Sequence, residues 1–216
     1  MPAVNIDIIF EDNAIVVVNK PAGAVVHPSP GHETGTMANE LVKLFPEMAE
    51  VGSAERPGVV HRLDAGTSGV MVFAKSQPAY LALRRQFEAH DTVRKTYLAV
   101  VHGRPPRATG TIDEPVGRDR RRAVSHWTLL GSHNGISLVE FKIDTGRMHQ
   151  IRIHASALGC PIAGDAEHGS AEKDRRLRHR PSRPLLHAVE LSFLHPVNGR
   201  RVTFSAPPPP DIVYAG

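Results

Sequence analysis

The sequence predicts a mixed α+β fold whose sheet is largely antiparallel and flanked by helices and long loops. Three observations predict it. Strand-like segments outnumber helical ones, and those after Arg94 follow one another as hairpins would. The regular strand–helix alternation of a doubly wound sheet is missing. The chain has 216 residues, enough for one well-filled domain, and shows neither an internal repeat nor a linker.

The elements follow in order. Residues 6–10 and 14–19 read as strands around the acidic turn Glu11-Asp12-Asn13. Lys20-Pro21-Ala22-Gly23 ends the run, with Lys20 read as a solvated turn residue. Residues 25–35, full of Pro and Gly, form a loop. Residues 37–45 carry Ala38, Leu41, Val42 and Phe45 on one helical face, and Thr36 is the candidate cap. Residues 49–57 are expected to be loop, and 69–75 a buried strand. Ser76 is placed to cap a helix over 77–90, with Leu81, Leu83 and Phe87 available for packing. Strands are expected at 94–102, 124–130 and 136–144. A helix over 148–158 places Ile151, His154, Ala155 and Leu158 at i, i+3, i+4 and i+7, and Gly159 stops it. Strands at 185–194 and 201–204 close the fold. The Pro-rich tail, 207–216, starts with four prolines and reads as polyproline II rather than helix.

Composition narrows the function classes. No stretch approaches the ~18 apolar residues of a membrane span, and the N-terminus lacks the pattern of a secretory signal. A lone cysteine, Cys160, excludes an intramolecular disulfide and reads as a small core residue. Together these features favour the cytoplasm. The first 60 residues hold eight acids and three bases, and the remainder fourteen acids and twenty-three bases. Twenty of the 26 bases are Arg, whose planar fork suits bidentate phosphate contacts, so a polyanionic partner is plausible. Two long basic segments, 103–122 and 164–183, are either solvated insertions or RNA contacts. Trp127, the single Trp, is expected in the core.

Two places carry candidate chemistry. Asp64 stands at a loop–strand junction among His61, Arg62, Gly66, Thr67 and Ser68, where a carboxylate can meet a ligand, although most loop Asp residues only cap or turn. Arg152 lies three residues from His149 on one face of the later helix. A half-buried Arg is best partnered by a carboxylate, and pairing with Asp64 would keep that acid ionised. Thirteen His residues also raise a metal-hydrolase alternative with His61, Asp64, His149 and His154 as ligands. The spacing of His149 and His154 is not that of a helical zinc pair, and His154 falls on the apolar stripe, as a core histidine would.

His61-Arg62-Leu63-Asp64-Ala65-Gly66-Thr67-Ser68-Gly69 resembles the active-site motif of RluA-type RNA pseudouridine synthases, HRLD followed by two residues and TSG. Further segments fit in order: Val18-Asn19-Lys20-Pro21-Ala22-Gly23, Arg94-Lys95-Thr96-Tyr97, Gly146-Arg147-Met148-His149-Gln150-Ile151-Arg152, Gly164-Asp165, Leu186-His187-Ala188 and His195-Pro196. Met148 departs from the Thr that the family often has there. The resemblance spans nearly the whole chain. It implies a single catalytic domain over 1–216, built on a bent, largely antiparallel sheet, that isomerises uridine to pseudouridine in ribosomal or transfer RNA. It implies Asp64, Tyr97 and Arg152 as catalytic residues, with Tyr97 against the base and Arg152 paired with Asp64. Arg62 would enter the RNA, and His61, Thr67, Arg147 and His149 would contact it. The reaction would need no cofactor and no metal. Many relatives carry an N-terminal S4 RNA-binding domain; this chain begins almost at the catalytic segment, so RNA affinity is expected from the catalytic domain's own basic face. A monomer that binds neither DNA nor membrane is expected. The rival is a non-catalytic RNA-binding protein on the same fold.

Overall fold

The computed structural model describes residues 4–89 and 91–213. His90, the expected last residue of one helix, and residues 214–216 of the expected tail lie outside the described residues. The chain forms two compact units, 1–93 with 190–206, and 94–189 with 207–216.

In the first unit, β1 (Asp7–Glu11), β2 (Ile15–Lys20) and β5 (Ser68–Ala74) pair in that order, antiparallel. Ile15, Val16, Val17 and Val18 are fully buried, and every residue of β5 is buried, which explains the near-continuous apolar runs. α1 (Met37–Leu44) starts at Thr36, whose hydroxyl accepts from the Asn39 amide while the Asn39 side chain accepts from the Thr36 amide. This reciprocal cap satisfies two of the N–H groups that a helix start leaves open. The expected loop at 49–57 holds the end of a 3₁₀ turn, Pro46–Glu50, and a two-residue-per-strand hairpin, β3 (Gly52–Ser53) with β4 (Arg56–Pro57). α2 (Gln77–Ala89) buries Ala79, Leu83 and Phe87. Leu81, expected in the packing face, is 48% exposed, because the i, i+4, i+8 stripe through Ala79 turns it away.

In the second unit, β6 (Arg94–His102), β9 (Ile136–Ile143), β8 (Val124–His133) and β7 (Thr109–Asp113) pair antiparallel in that order. β7 lies inside a segment expected to be irregular. Its Gly110 is required by Trp127: a Cβ there would fall 2.2 Å from the indole. Trp127 is buried, as expected. β8 runs past its expected end to a two-residue turn, Asn134-Gly135, in which both residues have positive φ, the backbone that a tight hairpin needs. α3 is Gln150–Ala157 and α4 is Ala171–Asp174. A core cluster joins Val100, Ile136, Ala163, Leu185 and Ile212.

Ile212 belongs to α5 (Pro210–Val213), so the tail is not polyproline II throughout. Proline is tolerated in a first helical turn because its missing N–H would have no intrahelical partner there. β10 (Leu186–Leu194) contributes its first residues to the second unit and, from Glu190 on, pairs with β11 (Arg201–Ser205) in the first. Among the described residues no helix is long and apolar enough to cross a membrane.

Candidate active site

The expected site residues fall into two groups, one in each unit. In the first unit, His61, Arg62, Asp64 and Thr67 share the loop that leads into β5. Lys20 fixes that loop. It was expected to be a solvated turn residue, but it is fully buried at the end of β2. Its ammonium donates to the carbonyls of Thr67 at 2.7 Å, Ala65 at 3.0 Å and Pro21 at 3.0 Å. A lysine has three such donors, and in a dry interior charge-assisted bonds of this kind are strong. The Thr67 amide donates to the Asp64 carbonyl at 3.0 Å, and the Gly23 amide to the Ala65 carbonyl at 2.8 Å. The backbone on the C-terminal side of Asp64 is therefore held from several directions. Thr67 itself is 2% exposed, and its backbone serves this frame.

Leu63 is buried, and the alternation along the loop leaves Arg62 exposed and Asp64 partly so. Arg62 lines a cleft of about 480 Å³ with His27, Arg56, Tyr80 and Arg84. His61 stacks on Phe87, with ring centroids 4.5 Å apart and planes 14° from parallel. Its Nε2 accepts the Val72 amide at 3.1 Å, so the ring carries its proton on Nδ1. Burial, helped by the charges of Arg56 and Arg62, holds His27 below the usual imidazole range.

In the second unit, Tyr97 lies on β6 opposite Phe141 and is 8% exposed. Arg147, His149 and Arg152 stand on α3 and the turn before it. Gln150 pins that turn with its whole amide. Its oxygen accepts from the Thr145 hydroxyl and the Arg147 amide, and its nitrogen donates to the Val124 carbonyl and Ser125 Oγ. His149, at the helix start, has φ 56°, a left-handed conformation that a non-glycine residue adopts at a cost. Met148 is 68% exposed.

Arg152 is 8% exposed and grips Asp165, from Nε to Oδ2 at 2.6 Å and from Nη2 to Oδ1 at 2.7 Å. The same Oδ1 accepts the amides of Glu167 and His168, each at 3.0 Å. Burial pushes the Asp165 carboxyl up, but the guanidinium and those amides outweigh it and hold it below the usual carboxylate range. Glu167 lies 3.3 Å from Arg152. Nothing in the spacing of the sequence pairs Asp165 with Arg152; only the fold brings them together.

Lys95 was also missed. It is 8% exposed on β6, and its ammonium lies so near Gly146 that a Cβ there would be 3.1 Å away. Burial and the charge of Arg147 lower its pKa to about 8, with Asp144 opposing. A buried lysine with a lowered pKa beside the turn before α3 is a functional signal that periodicity cannot supply.

His154 spends both nitrogens inside the core, Nδ1 with Ser125 Oγ at 2.9 Å and Nε2 donating to the Glu114 carbonyl at 3.0 Å. It is the core histidine that its place on the apolar stripe suggested, and it drops out of the metal-hydrolase ligand set. The basic segments are anchored at their bases. Asp174 accepts from His102 at 2.7 Å and from the Gly164 amide at 3.0 Å, while Arg175, Arg176, Arg178 and Arg180 remain exposed.

A family model described as RNA pseudouridylate synthase matches residues 14–157. An uncharacterized RNA pseudouridine synthase of Synechocystis is 41% identical over 94% of this chain and 66% of its own length. One of Chloroflexus aurantiacus is 46% identical over 90% and 63%. The ribosomal large subunit pseudouridine synthase D of Zymomonas mobilis is 36% identical over 96% of this chain and 70% of its own. The chain thus spans about two thirds of the length of these curated relatives. Among solved structures, human RNA pseudouridylate synthase domain containing 4 superposes with a TM-score of 0.77 at 26% identity, covering 97% of this chain and 91% of that one.

Proposed function

The chain belongs to the RNA pseudouridylate synthase family, and from that premise we propose that it isomerises specific uridines in structured RNA, with Asp64 as the catalytic carboxylate. The observation that carries the reading is the Asp64 loop itself: an HRLD segment inside the matched region, its backbone braced by a fully buried Lys20. A reacting carboxylate needs such bracing, because a misplacement of 1 Å can cost ~100-fold in rate.

In this reading the target uridine leaves the stack, at a cost of a few kcal/mol. Tyr97 recovers part of that by stacking against the base, worth ~1–3 kcal/mol. Exposed Arg62 enters the vacated space and meets phosphate, His61, Arg147 and His149 complete the RNA contact, and Thr67, expected to contact RNA, is too buried to do so and shapes the loop from within. Arg152, itself held by Asp165, pairs with Asp64 and keeps it ionised. Asp64 then acts as nucleophile or as base. The N-glycosidic bond breaks with its electron pair left on N1, the uracil turns within the closed pocket, C5 bonds to C1′, and the proton lost from C5 is matched by one taken up at N1. No redox step occurs, because one proton is lost and one is gained.

The substrate is a ribosomal or transfer RNA, and the name of the Zymomonas relative favours the ribosomal arm. The exposed arginines at 175–180 add non-specific affinity that falls with salt. The enzyme works as a cytoplasmic monomer without DNA or membrane partners.

The test is tritium release from RNA labelled at uridine C5. Wild type is expected to release tritium, and Asp64→Ala and Asp64→Asn to abolish release while RNA binding persists. Release that survives both substitutions overturns the assignment of Asp64. No release from total cellular RNA of a deletion strain, with intact folding of the enzyme, overturns the isomerase reading.

A further inference from the structure

Three metal-ligand side chains of the second unit lie together beside Arg152: His149, Glu167 and His168. One ligand atom from each lies within 4.8 Å of the other two. His149 Nδ1 is 3.0 Å from His168 Nε2 and 3.3 Å from Glu167 Oε2, and His168 Nε2 is 3.4 Å from Glu167 Oε1. Around zinc, with bonds of about 2.0–2.1 Å, tetrahedral ligands stand roughly 3.3 Å apart. The imidazole nitrogens stand near that separation from each other, and each faces one oxygen of the Glu167 carboxylate.

The set is held from outside as well. Asp165 accepts the amides of both Glu167 and His168, and the Gly169 amide donates to the Asp165 carbonyl at 2.9 Å. The turn is so tight that a Cβ on Gly169 would lie 2.1 Å from that carbonyl oxygen. His149 is fixed at the start of α3 in its left-handed conformation. Outer groups that fix the direction of ligands are what raises metal affinity.

His149 Nδ1 and His168 Nε2 face each other 3.0 Å apart. A cation between them would take a lone pair from each ring. Two imidazoles and one carboxylate, with a fourth position open to water, suit Zn²⁺, Co²⁺ or Ni²⁺ better than Mg²⁺ or Ca²⁺, which prefer oxygen.

We propose that His149, Glu167 and His168 form a binding site for one divalent cation of the zinc class. The site shares His149 with the proposed RNA contact and lies beside Arg152, but its occupancy does not rest on the isomerase reading.

The experiment uses the untagged full chain. Zn²⁺ binding is measured by titration calorimetry, and Co²⁺ loading by visible absorption, since a low-coordinate Co²⁺ site with nitrogen ligands gives intense ligand-field bands. One equivalent per chain is expected, with those bands. His168→Ala should weaken binding at least about tenfold, and the exposed Glu167→Gln should weaken it too, while His133→Ala, an exposed histidine elsewhere, should leave it unchanged. Circular dichroism checks that each variant is folded. Absence of stoichiometric binding, or binding that is equal in His168→Ala, Glu167→Gln and wild type, overturns the site.

Discussion

Asp165→Asn is the substitution whose consequence the geometry states most directly. The Asp165 side chain is fully buried and that of Arg152 is 9% exposed. Asparagine keeps the shape but removes the charge, and its NH₂ group or its single oxygen must face a guanidinium built for two carboxylate oxygens. Removing one partner from a buried ion pair costs about 3–5 kcal/mol. Glu167, 3.3 Å from Arg152 but 58% exposed, offsets a part, so the lower end applies. At about 3 kcal/mol, and ~2–4 °C per kcal/mol for a chain of this size, the melting temperature should fall by roughly 6–12 °C. Thermal unfolding by calorimetry and urea unfolding measure it. The sign with pH follows. The carboxyl is held below its ordinary 3.8, so the stability it contributes is present above that value and is lost as pH falls through the folded-state pKa. Asp165→Asn should lack that acid-dependent component. The double variant Arg152→Met with Asp165→Leu should lose less than the single one, since an apolar pair leaves no buried charge. A melting temperature for Asp165→Asn within about 2 °C of wild type refutes the reasoning.

Other expectations rest on single contacts. Lys20→Met keeps the volume but strips the donors from the Ala65 and Thr67 carbonyls, so stability should fall by about 2–3 kcal/mol in urea and tritium release should drop with it. Equal urea midpoints for the two proteins would contradict that bracing. Lys95, with its pKa lowered from 10.5 to about 8, sheds its proton first in the folded chain, so stability should rise with pH between those values. The shift corresponds to about 3 kcal/mol. Lys95→Met should remove the rise and be more stable than wild type near neutrality, which urea unfolding across that pH range checks. Gly110→Ala drives a methyl into Trp127 and should cost about 1–3 kcal/mol, with a changed Trp fluorescence maximum; a neutral effect would mean that the indole moves freely.

Much of the fold was legible because its signals are local. The Val-rich run at 15–18 and the run at 70–73 could only be buried strands, and Thr36 announced its helix. The departures have a common cause. β7 has no apolar alternation strong enough to stand out; it exists because β8 offers a paired edge and Gly110 makes room for Trp127. The α5 turn within the Pro-rich tail is stabilised by burying Ile212 in a core cluster that the tail sequence does not foretell.

The same division runs through the candidate site. The sequence by itself determined the family, through the HRLD and GR-x-HQIR segments, and with it the residues proposed to act, because their order along the chain is the signal. Tertiary structure alone decided what surrounds them. It buried Lys20 beneath the Asp64 loop, gave Asp165 to Arg152, lowered the pKa of Lys95, and brought His168 and Glu167 to His149. Each of these depends on desolvation or on partners distant in sequence. A buried charge must find its counterpart wherever the fold delivers one, and a linear pattern of residue types carries no record of that delivery.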